Sequence, residues 1–251
     1  MSTASMENLL KEYPRVRPTL PPAYQALYVE HYIANREGTG TLTSAKLRLE
    51  AWMHRQIAAC NLGQSVLEIG AGTLNHLPFE PPGLVYDIVE PFRELWETSS
   101  NRTRLRTIYK DIEDIPSESV YDRIVSVAVL EHLTSLPAIV ACAGLLLAPR
   151  GAFLAGIPTE GGALWGTAWR LTTGPAFRLK TGLEYGVIMR HEHVNTADEI
   201  VGAVQVFFGR VTVRRFPFGL KHLSFYSSIQ ASEPRTETCR DFLRRWSTRA
   251  S

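Results

Sequence analysis

Two short stretches hold the side chains best suited to proton or ion chemistry. Glu131 and His132 are adjacent in "VLEHL", and His191 and His193 flank Glu192 in "RHEHVN". An imidazole titrates near neutral pH, so His132, His191 and His193 are all candidate general bases. His191 and His193 stand two apart, and an extended chain would turn both to one side. Two histidines and an acid also raise metal binding, but alternate residues of a strand do not all converge on one ion. Plain structural roles stand beside these readings. His132 could pack a strand-to-helix turn. His191 and His193 could lie on the surface, hydrogen-bond within a loop, or anchor a helix capped near Asn195 or Thr196.

A third stretch, "SVLEIGAGTLNHL" (65–77), sets Gly70 and Gly72 after alternating apolar residues. Glycine lets backbone approach a ligand and adopts torsions that side chains forbid. A tight turn after a strand would use the same residues. A dinucleotide fingerprint requires G-x-G-x-x-G, and here Asn75 takes the third glycine's place, which turns the reading away from a pyrophosphate. About twenty residues further on, Glu90 in "DIVEP" is placed to accept hydrogens from both hydroxyls of a ribose.

Alternating strands and helices must position these groups. Strands are expected at 65–70, 84–90, within 104–112, at 121–130 and at 151–158. A helix follows the fourth, interrupted near its start by Pro137, and another runs through "NTADEIVGAVQVFF". Two β-rich segments, "RVTVRRFPF" and "HLSFYSSIQA", close the pattern as an antiparallel pair. Such alternation predicts an α/β fold with a parallel sheet and helices on both faces. Ahead of it, residues 1–21 read as a loose arm. A helix is expected from Pro22 to Arg36 on the spacing of Tyr24, Leu27, Tyr28 and Ile33. A second should run from Thr43 or Ser44 to about Ala59, with Leu47, Trp52 and Ile57 among its apolar positions.

Four motifs in order, "VLEIGAGT", "DIVEP", "YKDIEDIP" and "DRIVSVAVLEHL", resemble the class I S-adenosylmethionine-dependent methyltransferases, especially the small-molecule group with "LEH" after the fourth strand. The likeness spans roughly Ser65 to Pro158. It implies a Rossmann-like methyltransferase fold with a mostly parallel seven-stranded sheet and an antiparallel last strand. It also implies roles. Glu68 would lie near the amino group of the cofactor's methionine moiety, lined by Gly70, Ala71 and Gly72. Glu90 would hold the ribose, and Pro91 would lie beside the adenine. Asp111 would take the adenine amino group, with Ile112 as donor and wall, and Val127 and Ala128 would pass beneath the cofactor. Some relatives hold a divalent cation with "ExxEHxxxH". Here Ala128 replaces the first acid and Leu136 the last histidine, so no metal is expected.

The acceptor side must be read elsewhere. Residues 159–195 form a Gly-rich, irregular stretch that reads as a lid, with Trp165, Trp169, Phe177 and Tyr185 as a substrate wall. Arg170, Arg178 and Lys180, opposed only by Glu184 nearby, suggest an acceptor bearing a phosphate, nucleotide or carboxylate; a solvated basic face would look the same. The division expected is a helical cap over 1–62, a cofactor-binding domain over 63–232 with the lid inside it, and a basic tail over 233–251.

Composition narrows the rest. The chain has 251 residues, 45% of them hydrophobic, which suits one α/β domain with decorations. A net charge of +2 argues against general nucleic-acid binding. The longest apolar run, Ala138 to Ala148, has 11 residues, too short for a membrane span. No secretory leader is evident at the N-terminus. Cys60, Cys142 and Cys239 are scattered without metal spacing, which points to the cytoplasm. The expected activity is methyl transfer to oxygen of a small biosynthetic metabolite, such as a sugar or nucleotide-linked sugar. N-methylation, a non-catalytic cofactor-binding scaffold and a nucleotide-dependent oxidoreductase are the alternatives, and a homodimer is left open.

Overall fold

The structure is a computed structural model that describes residues 8–25, 27 and 43–250. Tyr28 and Ile33 of the expected first helix, and the side chain of Leu47 in the second, lie outside the described residues. Helix α1 (Thr43–Ala58) leads into β1 (Ser65–Ile69), β2 (Val85–Val89), the single turn α2 (Arg93–Trp96), β3 (Leu105–Tyr109) and β4 (Tyr121–Val127). Then come α3 (Leu136–Leu146) and β5 (Leu147–Pro158). Three short helices follow, α4 (Ala163–Leu171), α5 (Thr173–Thr181) and α6 (Tyr185–Glu192). Helix α7 (Ala197–Phe207), β6 (Phe208–Pro217), β7 (Ser224–Pro234) and α8 (Thr236–Ala250) complete the chain.

The seven strands form one sheet in the order β3-β2-β1-β4-β5-β7-β6. Strands β1 to β5 pair in parallel, and β7 runs antiparallel to both β5 and β6. This is the sheet expected from the sequence, antiparallel last strand included. Period-two alternation explains its two cores. Val66, Ile88, Val125 and Leu154 point to one face and pack with Ile57 of α1. Leu67, Ile69, Ile124 and Phe153 point to the other and pack with α3, α7 and α8. Gly156 lets α1 close on the sheet, since a Cβ there would stand 3.0 Å from the Met53 Cβ.

Local signals explain the helix ends. Pro137 does not interrupt α3 but sits in its first turn, where its missing N–H costs nothing. Helix α7 starts on a capping box: Glu199 N donates to Thr196 Oγ1, and Thr196 N donates to Glu199 Oε2 at 2.7 Å. The basic tail forms α8, and Cys239, Phe242 and Trp246 dock it on the core.

Two further expectations are corrected. Residues 159–195 are not irregular, because most of the segment is helical, in α4, α5 and α6. Their aromatic residues supply the packing that short helices need. The described part of the expected loose arm, residues 8–21, is not loose either. Leu9, Tyr13 and Leu20 are buried, and Arg15 N donates to Thr134 O at 2.9 Å. Sparse secondary structure in a Pro-rich segment gave no hint of this side-chain anchoring.

Candidate active site

The carboxyl ends of β3, β2, β1 and β4 lie side by side, where open parallel sheets bind ligands. Gly70 leaves β1 with φ +71°, and a Cβ there would come within 2.5 Å of Val129. Gly72 has φ +51°, but nothing lies within 4 Å of a Cβ built on it. The loop therefore presents bare backbone to open space. Glu90, 5% exposed, accepts from Gly72 N at 2.7 Å and from Phe92 N at 3.1 Å. A carboxylate offers about four acceptor sites, so two remain for a ligand's hydroxyls.

The other expected cofactor residues line the same edge. Glu68 is buried in β1 and accepts from Tyr86 Oη at 2.9 Å. Burial raises its pKa to about 7, against the pull of His76 and the Tyr86 hydrogen bond. Ala71 is buried within the glycine loop, and Pro91 is exposed just past the end of β2. Asp111 caps a 3-10 turn, accepting from Glu113 N at 3.2 Å, while Ile112 is buried. Val127 ends β4, and the exposed Ala128 follows with φ +55°. Ala128 N donates to Gly156 O at 2.7 Å, which ties that unusual torsion to β5.

Beneath this edge lies a charged support that sequence reasoning missed. Arg123 and Glu80 are both fully buried and joined by two bonds of 2.9 and 2.8 Å. His76 adds a third at 3.1 Å. Burial alone would raise the Glu80 pKa, but the bonds from His76 and Arg123 outweigh it and hold it below its ordinary value. Burial and the neighbouring His76 press His54 down to about 4. The sequence signal was an arginine within a largely apolar strand.

Past β4, the 3-10 turn Leu130–His132 opens a second group of polar residues. Glu131 is 2% exposed, and its Oε2 has no hydrogen-bond partner. Burial pushes its pKa up, with His132 opposing. His132 lies beside it, Nε2 3.8 Å from Glu131 Oε1. His193 reaches the same place from the end of α6, its ring 5.0 Å from that of His132. Its Nδ1 is 3.0 Å from Glu160, which also accepts from Trp165 Nε1. The Trp165 ring stacks on His193 and meets Tyr226 edge-on.

Thus His132 and His193 come together with Glu131 and Trp165, whereas His191 does not join them. The "RHEHVN" stretch is not extended. His191 lies in α6, and its Nδ1 faces Pro18 O at 2.7 Å. One residue beyond the helix, His193 turns the other way. Trp169 and Tyr185 pack edge to face in a separate aromatic group with Phe177. Arg170 lies over the Trp169 ring, and Arg178 pairs with Glu184; both arginines are exposed, as is Lys180.

Asn195 and the N-terminal arm lock this arrangement. Val194 N and Asn195 N donate to Glu131 O, and Asn195 Nδ2 donates to Leu130 O and Leu133 O. Tyr13 Oη donates to Asn195 Oδ1 at 2.7 Å. Arg17 donates to the carbonyls of His132, His191 and Glu192. These arm residues carry no motif, so pattern reading passed over them.

The fold and the glycine-loop edge define a class I methyltransferase. A sequence profile described as a methyltransferase domain matches residues 42–205, and the chain belongs to that family. It is an enzyme that uses S-adenosylmethionine as methyl donor. No curated protein matches the sequence. Several solved structures share the fold. The plantazolicin methyltransferase BpumL, solved with S-adenosylhomocysteine and a substrate analogue, is 11% identical with a TM-score of 0.58, covering 92% of this chain and 98% of its own. The N-methyltransferase NodS from Bradyrhizobium japonicum is 15% identical at 0.55, covering 86% and 100%. A possible histamine N-methyltransferase from Thermotoga maritima is 15% identical at 0.55, covering 74% and 90%.

Proposed function

We propose that this enzyme methylates a hydroxyl oxygen of a small biosynthetic metabolite, such as a sugar or nucleotide-linked sugar. The observation that carries the reading is the meeting of Glu131, His132 and His193 just past β4, next in chain to the glycine-loop edge.

The glycine loop fits the donor, because the open space at Gly72 and the spare acceptor sites on Glu90 suit a nucleoside. On this reading Glu90 holds the ribose hydroxyls, Asp111 and Ile112 flank the adenine, and Pro91 lies beside it. Glu68, Gly70, Ala71 and Gly72 line the methionine moiety, over Val127 and Ala128. Bound S-adenosylmethionine supplies an electrophilic methyl group on a sulfonium. His132 and His193 orient the acceptor hydroxyl, and the cluster takes up its proton as the oxygen gains the methyl group. Trp165 walls the acceptor. Trp169 and Tyr185 support the lid from behind. An anionic group on the acceptor would reach outward to Arg170, Arg178 and Lys180.

Residues 1–62 act as cap, 63–232 as the methyltransferase domain with the lid 159–195, and 233–251 as a basic tail. The three free cysteines favour a reducing, cytoplasmic setting. One observation favours N-methylation as the second reading: the carboxylates of Glu131, Glu160 and Glu192 would welcome a cationic amine. A screen of hydroxyl and amine metabolites for S-adenosylhomocysteine production separates the two. Turnover confined to hydroxyl acceptors supports the first, turnover confined to amines the second. Tight S-adenosylhomocysteine binding without turnover of any acceptor would favour a scaffold.

A further inference from the structure

We propose that Glu131, His132 and His193 form a seat for a divalent transition-metal ion. One potential ligand atom from each lies within 4.8 Å of the others. This grouping was not expected, because Ala128 and Leu136 stand where known cation-binding relatives carry ligands. Here the third ligand comes from the C-terminal end of the lid, 61 residues after His132.

The rings are already oriented as ligands. His132 Nδ1 is 2.9 Å from Glu192 O, and a carbonyl can only accept, so Nδ1 carries the proton. His193 Nδ1 is 3.0 Å from a Glu160 carboxylate oxygen, which fixes the same tautomer. Each ring is left with an Nε2 lone pair. Metal-binding histidines use their second nitrogen in this way, donating to a carbonyl or carboxylate behind them. The unpartnered Oε2 of the buried Glu131 completes the argument. One ring nitrogen from each histidine and a Glu131 oxygen lie within 4.8 Å of one another, a spacing that a cation would bridge.

Two imidazoles and one carboxylate suit Zn2+, Co2+, Mn2+ or Fe2+ better than the all-oxygen preference of Ca2+ or Mg2+. Three protein ligands leave positions open for an exogenous oxygen. If the acceptor hydroxyl took one, it would ionise more readily, its proton passing to water or to the Glu131 oxygen not on the metal, in place of the ligated histidines. That last role rests on the proposed O-methylation; the seat itself does not.

Co2+ tests the seat without any acceptor. The full chain, stripped with chelator, is titrated with Co2+ and followed by visible absorption and calorimetry, with S-adenosylhomocysteine binding measured in parallel. One Co2+ per chain with a d–d band is expected, weakened at least ~10-fold in Glu131→Gln and in His193→Asn. Retained S-adenosylhomocysteine binding shows that these variants fold. A chain that binds S-adenosylhomocysteine but no stoichiometric Co2+ overturns the seat while leaving methyl transfer intact. Equal Co2+ binding by both variants overturns it too. Displacement of bound Co2+ by a simple alkylammonium, with no ternary complex, would assign the cluster to an amine and overturn the metal.

Discussion

Gly72 N donates to Glu90 Oε2 across 2.7 Å, so the end of β2 holds the glycine loop in place. Glu90 thereby serves the loop and, on the proposed reading, the ribose. Glu90→Ala removes both functions, whereas Glu90→Gln keeps one acceptor oxygen. Hydrogen bonds to charged groups contribute about 1.5–3 kcal/mol, so S-adenosylhomocysteine affinity is expected to fall roughly 10- to 100-fold in Glu90→Ala. The loss in Glu90→Gln should be smaller. Calorimetric titration of both variants checks the order.

Glu68 makes stability depend on pH. Its folded pKa is raised from 4.5 to about 7 by burial. Between these values the folded chain keeps a proton that the unfolded chain has lost. Stability therefore falls as pH rises through that window, by about 3 kcal/mol at most, and levels off above it. Glu68→Gln keeps an acceptor for Tyr86 Oη and removes the titration. Its Tm should exceed that of the parent at pH 8 and approach it at pH 5. Parallel curves for the two proteins across pH 5–8 would exclude the effect.

Arg17 is expected to govern turnover rather than cofactor affinity. It donates to three carbonyls around His132 and α6 and belongs to none of the cofactor loops. Arg17→Ala should lower kcat about 10-fold, the effect of roughly 1.4 kcal/mol of lost positioning. S-adenosylhomocysteine affinity should hold within about twofold, a change of only ~0.4 kcal/mol. Steady-state kinetics beside calorimetry would show whether the two separate.

The Arg123–Glu80 pair predicts a large stability effect remote from the chemistry. Arg123→Met leaves the buried Glu80 with His76 alone. Breaking such a pair from one side costs about 3–5 kcal/mol. Chemical denaturation should report it as a lower midpoint with little change in slope. A variant as stable as the parent would mean that Glu80 is neutralised by other means.

Much of the fold was legible because its signals are local. Alternating apolar residues marked β1 and β2, and a capping residue near Asn195 or Thr196 marked the start of α7. The glycine-loop edge was equally legible, since Gly70, Gly72, Glu90 and Asp111 each follow a strand. The acceptor side was not. His193 meets Glu131 only because α6 ends one residue earlier, and the sequence there suggested an extended chain. Arg170 and Arg178 stood out as cations for an anionic acceptor, but no spacing rule revealed that they sit exposed on two successive helices, one over the Trp169 ring and the other paired with Glu184. Tyr13 and Arg17 act through backbone carbonyls and a lone asparagine, partners that no spacing rule reveals.

The central claim is that the donor sits over Glu90 and the glycine loop with its reactive end toward Glu131, His132 and His193. A crystal structure of the full chain with S-adenosylhomocysteine tests it most directly. The ribose hydroxyls should lie within about 3 Å of Glu90, and the sulfur should face the histidine cluster across a space large enough for an acceptor. A sulfur directed away from His132 and His193, or a ligand bound apart from Glu90, would contradict the account.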